Sequence, residues 1–316
     1  MKKIIHRIFF NFDDGPDPFE SYLETWKTQL PDFEIMEWNK TNLPLDLNTY
    51  TRLMAAEKNH AFLSDYFRCW LLKKYGGVYL DADIEVLDGA IFRRVYEELE
   101  KTTDYTLFIG IEGSQNGRLT PHSMGLRPGS SHEILDFLLN LYETAFSTAL
   151  YYEIKRFPIP NLMTLFFLDA EKREGYQLSE KGRFLYKTEP FITKNIKIYP
   201  QSWFSPVGIR GRSKIISAFG METCLCHHFA ASWTNNVNQQ KRAKLFSEQL
   251  ADKEYFIPPE FSPLIEKRYG KNASCSSLPT WKLTVSEIEK LEKLLNTLIP
   301  YGSFQYKLLK RRREKG

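Results

Sequence analysis

The sequence predicts an α/β fold, and three observations support this prediction. Short runs of β-branched and aromatic residues alternate with helical segments over the first two-thirds of the 316 residues, a pattern typical of a sheet flanked by helices. One short run ends in two carboxylates, Asp81 and Asp83. Beyond Trp233 the chain becomes polar, with proline-rich and serine-rich stretches. We therefore predict one domain over residues 1–235 and a helical extension over residues 236–316.

Strands are predicted where β-rich runs are bounded by turn residues. They cover residues 3–10, 33–38, 78–80, 84–87, 105–111, 184–186, 196–199 and 224–233. Helices are predicted where apolar residues recur every three to four positions. They cover residues 51–75, 132–146 and 161–168, together with an early helix that carries Tyr22, Leu23, Trp26 and Leu30 on one face. We expect residues 84–87 to resume the strand 78–80.

The composition excludes several classes of protein. The chain has 43 Lys and Arg against 39 Asp and Glu, and 42% of its residues are hydrophobic, which is ordinary for a globular protein. The near balance of charge argues against nucleic acid as a partner. The longest apolar runs are shorter than the roughly 20 residues that span a membrane. Four cysteines are too few for a disulfide framework, so we expect a cytoplasmic protein.

The positive charge is concentrated in the last eleven residues, which carry six Lys or Arg and one Glu. Apolar and aromatic residues, among them Tyr301, Phe304 and Leu309, lie beside this basic run. Basic and apolar groups together are typical of segments that bind an anionic membrane surface. The tail therefore predicts peripheral binding at the inner face of the plasma membrane, and a solvated tail is the alternative.

Asp81 and Asp83 form the most informative local pattern. They follow the apolar run 78–80, and open α/β sheets bind ligands at the carboxyl ends of their strands. Two hard oxygen ligands at such an edge suit Mg²⁺ or Mn²⁺ bound to phosphates. Upstream, Asp65 and Arg68 share one face of the predicted helix, where they could hold a sugar hydroxyl or a phosphate. A solvated turn and a structural ion pair are the alternatives.

These residues lie in strings that resemble the signature of DXD-containing glycosyltransferases of family 32. The strings are Ser-Asp-x-x-Arg at residues 64–68 and Tyr-Gly-Gly-Val-Tyr-Leu-Asp-x-Asp at residues 75–83. Residues 4–9 resemble the opening strand of that family, and His-His-x-x-x-Ser-Trp at residues 227–233 resembles its closing segment. The family includes bacterial capsule and lipopolysaccharide sugar transferases, and the catalytic domains of clostridial glucosylating toxins are similar.

The resemblance implies a GT-A fold, with a mixed Rossmann-like sheet between helices, a nucleotide-sugar donor and Mn²⁺ or Mg²⁺. A UDP-sugar is the expected donor. By this resemblance Asp81 and Asp83 are catalytic: Asp83 ligates the metal, and Asp81 contacts the ribose and the metal. Phe9 would stack on the base. The implied donor-binding residues are Phe9, Asp65, Arg68, Asp81, His122, Ser232 and Trp233.

Two positions stay open. If residues 224–233 form a strand, His227 and His228 lie on opposite faces. The spacing to Ala231, where the family often has glycine, favours His228 as a metal ligand, with His227 as the second choice. Where relatives commonly have an asparagine after the mid-sheet strand, this chain has His122 and Ser123, so either can fill the donor-sugar position.

The predicted function is metal-dependent transfer of a hexose to a glycan or a lipid-linked saccharide with retention of anomeric configuration. Because no carboxylate stands out as a nucleophile, we favour attack of the acceptor on the same face of the sugar from which the leaving group departs. The alternatives are a toxin-like transferase that glycosylates a protein and a binding module that keeps the fold without catalysis. Metal-dependent hydrolysis of a nucleotide-sugar would separate an enzyme from a binding module.

Overall fold

The computed structural model describes residues 3–112, 118–144, 159–167, 174–178, 187–210, 214–217 and 220–228. Its strands are β1 (Lys3–Ile8), β2 (Phe33–Trp38), β3 (Gly77–Leu80), β4 (Ile84–Val86), β5 (Leu107–Glu112), β6 (Arg118–Leu126), β7 (Phe191–Thr193), β8 (Ile196–Tyr199), β9 (Val207–Arg210), β10 (Lys214–Ser217) and β11 (Leu225–His227). Its helices are α1 (Glu20–Gln29), α2 (Thr49–Ala56), α3 (His60–Tyr75), α4 (Gly89–Lys101), α5 (Glu133–Thr144), α6 (Ile159–Phe166) and α7 (Gln201–Phe204).

Seven strands form one mixed sheet in the order β2-β1-β3-β6-β5-β8-β7. β1 is parallel to both β2 and β3, whereas β6 runs antiparallel to β3 and β5. The carboxyl ends of β1 and β3 therefore meet the amino-terminal half of β6 at one edge of the sheet. This arrangement confirms the predicted α/β class and brings the residues that follow β3 beside β6.

Helices cover both faces of the sheet because successive strand residues point to opposite faces. Tyr79 packs into the core that includes the buried faces of α2, α3, α5 and α6. Its neighbours Val78 and Leu80 pack into the opposite core with α1 and α4. β3 is thus buried on both faces, which explains why it appears in the sequence as an uninterrupted apolar run.

The predicted helix over residues 51–75 is wrong in one respect, because two helices occupy this range. α2 ends at Ala56 and α3 begins at His60. Between them Lys58 has a φ of 51°, which no helix accommodates, and the Asn59 side chain accepts a hydrogen bond from the Phe62 N–H. Helical spacing of apolar residues continues across this break, so the periodicity alone does not reveal it.

Three further differences concern strand pairing and missed elements. β4 does not resume β3 in the central sheet, but pairs antiparallel with β11. α4 was not predicted, although the Asp88 carboxylate caps it by accepting from the Ile91 N–H at 2.8 Å. β6 was not predicted either, and it contains proline and glycine, which are rare inside strands. The predicted strand 184–186 and the extension 236–316 lie outside the described residues.

The proline in β6 lies at a bulge. The register between β5 and β6 shifts from Ile109 opposite Met124 to Gly110 opposite Thr120, so Pro121 falls in the irregular part of β6. A bulge of this kind releases residues from the ladder and redirects their side chains. His122, directly after Pro121, is the residue that this bulge directs toward the end of β3.

In the ranges that the structure describes, no helix is long and apolar enough to cross a membrane.

The turn between α3 and β3 requires glycine at Gly77, where φ is 87° and an added Cβ would lie 2.7 Å from the Ile4 carbonyl oxygen. We expect Gly77→Ala to lower the free energy of unfolding by about 3 kcal/mol, from left-handed strain plus overpacking against backbone. Gly129→Ala is the matched control, since Gly129 has a φ of 74° but no atom within 4 Å of an added Cβ. It should cost only about 1 kcal/mol. Urea unfolding measures both, and equal losses would contradict the close contact with Ile4.

Candidate active site

The turn after β3 fixes the two aspartates of the DXD motif. The Asp81 N–H donates to the His122 carbonyl at 2.8 Å, and the Ile84 N–H donates to the Asp81 carbonyl at 3.0 Å. These backbone bonds end β3 and close a tight turn between β3 and β4. The Asp81 and Asp83 side chains are both mostly buried, with exposed fractions of 23% and 12%. The turn therefore presents two carboxylates in a partly desolvated position.

His227 joins these carboxylates from a distant part of the chain. Its Nε2 lies 3.3 Å from Asp83 Oδ1 and 3.9 Å from Asp81 Oδ2. β11 positions it, because the antiparallel pairing with β4 sets His227 opposite Ile84, directly after Asp83. The ligand atoms of Asp81, Asp83 and His227 all lie within 4.8 Å of one another. Two carboxylates and an imidazole this close fit a divalent cation.

His228, the first choice in the sequence analysis, lies outside this cluster. Its Nε2 contacts Glu85 Oε2 at 2.9 Å, and its ring stacks on Tyr22 with centroids 4.4 Å apart. β11 ends at His227, so His228 lies just beyond the strand, and the pairing with β4 turns His227 inward. The spacing argument could not determine which of the two faces the carboxylates.

Arg68 connects α3 to the DXD turn. Its guanidinium lies 2.9 Å from Asp65 Oδ1 and 3.2 Å from Asp81 Oδ1, and it donates to the Pro121 carbonyl at 3.1 Å. Both Asp65 and Arg68 are buried. Burial raises the pKa of Asp65 to about 7, although the positive charge of Arg68 acts in the opposite direction and lowers it. Burial alone would lower the pKa of Arg68, but the carboxylates of Asp81 and Asp65 outweigh it and raise that pKa.

Tyr79 is a site residue that sequence reasoning missed. Its hydroxyl donates to Asp81 Oδ1 at 2.6 Å, and its ring lies 4.6 Å from the Arg68 guanidinium carbon. The available signal was the two-residue period of a strand, which puts Tyr79 and Asp81 on the same face. Tyr79 therefore holds the orientation of the Asp81 carboxylate.

His122 lies beside the cluster and is almost fully buried. Its ring centroid is 4.5 Å from that of His227, and its Nδ1 contacts Ser123 Oγ at 2.9 Å. Burial, followed by the proximity of His227, holds the pKa of His122 well below the usual range, so the ring is neutral near pH 7. Its Nε2 has no hydrogen-bond partner in the described part of the chain. A buried polar atom in this state is suited to a bound ligand.

Phe9 extends β1 at the same edge of the sheet, where its N–H donates to the Trp38 carbonyl at 2.9 Å. Its half-buried ring packs edge-on against Phe19, and the Arg7 guanidinium lies 5.5 Å from the ring centroid. A planar base would find an aromatic surface here. The other two predicted donor-binding residues, Ser232 and Trp233, lie outside the described residues.

Part of the chain matches a known protein family. Residues 16–100 match the family described as a glycosyltransferase sugar-binding region containing a DXD motif. The chain therefore carries a DXD region of the glycosyltransferase type, and this range includes Asp65, Arg68, Asp81 and Asp83. No curated protein matches the chain.

Glycosyltransferases are among the solved structures that are similar to this chain. One is the PaToxG glycosyltransferase, at 14% identity and a TM-score of 0.39, over 54% of this chain and 73% of that one. Another is a glycosyltransferase involved in the glycosylation of the major capsid of PBCV-1, at 9% identity and a TM-score of 0.38, over 64% of this chain and 84% of that one. The mixed seven-stranded sheet flanked by helices fits the GT-A fold.

The buried position of Arg68 predicts that charge alone cannot replace it. Arg68→Lys should lower the free energy of unfolding by about 3 kcal/mol, because one ammonium cannot reach Asp65, Asp81 and the Pro121 carbonyl together. Arg93→Lys is the matched control, since Arg93 makes a two-contact pair with Asp32 at the surface and should cost less than about 1 kcal/mol. Urea unfolding compares them, and a small loss for Arg68→Lys would show that Arg68 is not the link between α3 and the turn.

Proposed function

We propose that this chain is a retaining glycosyltransferase of the family 32 type, which transfers a hexose from a nucleotide-sugar, with a UDP-sugar as the expected donor, to a saccharide acceptor. One observation carries the proposal. Asp81, Asp83 and His227 converge within 4.8 Å beside the Asp65–Arg68 pair, at the end of β3 in a DXD region of the glycosyltransferase type. Such a cluster is suited to holding a divalent cation against a diphosphate.

In this proposal Asp83 and His227 hold Mn²⁺ or Mg²⁺, and Asp81 contacts the ion and the ribose. When bound, the ion neutralises charge on the diphosphate leaving group. His227 replaces His228 as the preferred ligand because His227 Nε2 lies 3.3 Å from Asp83, whereas His228 contacts Glu85. Tyr79 and Arg68 orient Asp81, since both contact Oδ1 and leave Oδ2 on the side of His227.

The order of strands suggests how the donor lies. Phe9 follows β1, the DXD motif follows β3, and His122 lies in β6, and these three strands are neighbours in the sheet. We infer that the base stacks on Phe9, the diphosphate lies over the DXD turn, and the sugar reaches His122. Asp65 and Arg68 hold sugar hydroxyls from the side of α3. Ser232 and Trp233 closing over the diphosphate remains a prediction.

Retention of configuration fits attack from the front face. In the described part of the site each carboxylate already has a cationic or imidazole partner: Asp65 and Asp81 contact Arg68, Asp83 contacts His227, and Glu85 contacts His228. None of them is positioned as an unengaged nucleophile. The acceptor oxygen then forms the new glycosidic bond as the bond to the diphosphate breaks, and the departing phosphate oxygen takes the acceptor proton.

Removing the metal ligand tests the proposal most directly. Asp83→Ala should reduce Mn²⁺-dependent hydrolysis of a UDP-hexose by more than about 100-fold, because the carboxylate ligand is lost. Hydrolysis of a panel of UDP-sugars and GDP-sugars, with and without Mn²⁺, provides the measurement. Asp88→Ala is a matched control, since Asp88 caps α4 rather than facing the cluster. Full activity of Asp83→Ala at saturating Mn²⁺ would refute the metal assignment, and a wild-type protein that binds donor without hydrolysing it would favour a binding module.

The two histidines provide a second test. We expect His227→Ala to raise the Mn²⁺ concentration needed for half-maximal hydrolysis at least about tenfold, and His228→Ala to raise it less than about threefold. The reason is that His227 contacts both aspartates, whereas His228 contacts Glu85 and Tyr22. A Mn²⁺ titration of the two variants measures the effect. The reverse order would return the ligand role to His228.

The acceptor and the location are further parts of the proposal. A lipid-linked saccharide on the cytoplasmic leaflet would suit the basic tail, since each Lys or Arg near an anionic surface is worth about 1 kcal/mol. The full chain should sediment with anionic but not with neutral liposomes, and less at high salt. A chain that ends at Pro300 should stay in the supernatant. If both chains sediment equally, the tail is not the membrane-binding segment.

A further inference from the structure

A row of aromatic rings lies beside the DXD turn on the side of α1. The rings of Phe9 and Phe19 meet edge-on at 6.1 Å, and the ring of Phe19 is nearly parallel to that of Tyr22 at 6.4 Å. Tyr22 and His228 are stacked at 4.4 Å with 11° between their planes. Phe19 and Tyr22 are half-buried and His228 is exposed, so this row is part of the protein surface.

Polar groups border the outer end of this row. The Glu85 carboxylate contacts His228 Nε2 at 2.9 Å, and both side chains are about one-third exposed, at 33% and 34%. We define the Tyr22 platform as the rings of Tyr22 and His228 together with the carboxylate of Glu85. Flat apolar faces beside exposed hydrogen-bonding groups match the chemistry of a pyranose ring, which has an apolar C–H face and polar hydroxyls at its rim.

Backbone contacts place the platform next to the reacting groups. The His228 N–H donates to the Asp83 carbonyl at 3.1 Å. The preceding residue, His227, contacts Asp83 and packs its ring against His122. The last residue of β11, His227, therefore joins the cluster with Asp81 and Asp83, and the next residue, His228, joins the platform. The platform thus lies within one residue of the donor site.

The remaining sides of the cluster are already assigned. The donor extends along the edge of the sheet, from Phe9 after β1 to His122 in β6, under the proposed function. The side of α3 belongs to the donor sugar, because the proposed function places its hydroxyls against Asp65 and Arg68. The Tyr22 platform lies on the side that α1, β4 and β11 form, where the side chains of His228 and Glu85 reach the surface.

We propose that the Tyr22 platform is the subsite for the acceptor, where a pyranose ring stacks on the outer face of the His228 ring, which Tyr22 supports from behind, and a hydroxyl bonds to Glu85. The assignment to the acceptor rests on the proposed function. Binding of a saccharide ring does not require catalysis. The proposal therefore makes a prediction that is measurable even in the absence of a donor.

Saturation-transfer NMR with the full chain tests this subsite directly. The probes are the methyl glycosides of glucose, galactose, mannose and N-acetylglucosamine, each added alone. At least one should receive saturation from the wild-type protein. Tyr22→Ala and His228→Ala should each weaken that binding at least tenfold, whereas Tyr22→Phe should retain it within about threefold, because a Phe ring still supports His228 from behind. Trp70→Ala, which removes a partly exposed aromatic on α3, should bind like the wild type.

A second measurement distinguishes an acceptor from the base of the donor. Binding of UDP with Mn²⁺, followed by calorimetry, should change less than twofold in Tyr22→Ala. A parallel tenfold loss of UDP affinity would mean that these rings hold the base, and it would overturn the proposal. Absence of glycoside binding by the wild type, or undiminished binding by folded Tyr22→Ala and His228→Ala, would also overturn it. A thermal melt establishes folding, and His228 serves as the second variant because its exposed side chain contributes little to the core.

Failure of the proposed function gives a different result. In that case the wild-type protein would neither bind UDP with Mn²⁺ nor hydrolyse any nucleotide-sugar of the panel. Glycoside binding that depends on Tyr22 and His228 could still be present, and it would then mark a saccharide-binding surface without transfer. Loss of glycoside binding with intact hydrolysis of a UDP-sugar would instead remove the acceptor subsite alone.

Discussion

The buried guanidinium of Arg68 is the constraint on which the site depends. It lies in α3, yet it contacts the DXD turn at Asp81 and the backbone of β6 at Pro121, so one side chain joins three elements. A buried cation is tolerated only when carboxylates and carbonyl oxygens satisfy it, and this requirement fixes the positions of Asp65 and Asp81. Arg68 and Tyr79 both contact Asp81 Oδ1, so the other carboxylate oxygen, Oδ2, lies on the side of His227.

Two irregular features of the β-structure complete the site. The bulge between β5 and β6 places Pro121 out of the regular ladder, and the following His122 comes to lie against His227. The separate pairing of β4 with β11 brings His227 from 143 residues beyond Ile84 to the opposite position. Regular continuation of the central sheet would supply neither histidine. Departures from ideal pairing near binding sites are common for this reason.

The electrostatics of the site are consistent with a cation and an anionic ligand. Three aspartates, at positions 65, 81 and 83, gather within a partly desolvated space where a single guanidinium is shared by two of them. Burial disfavours the charged form of Asp65 and raises its pKa to about 7, and it keeps His122 neutral. A neutral imidazole adds no repulsion to a metal ion that Asp81, Asp83 and His227 would hold.

The sequence by itself determined the elements whose signals are local. Buried β-rich runs predicted β1, β2 and β3. The helical spacing of Asp65 and Arg68 predicted that they share one face of α3. The DXD motif was visible in the sequence directly after the run that forms β3. The tertiary structure alone decided the break between α2 and α3, the partner of β4, and which of His227 and His228 faces the aspartates. These features depend on hydrogen bonds between distant segments, and a shift of one residue in a strand exchanges its two faces. No periodicity within a short window contains that information.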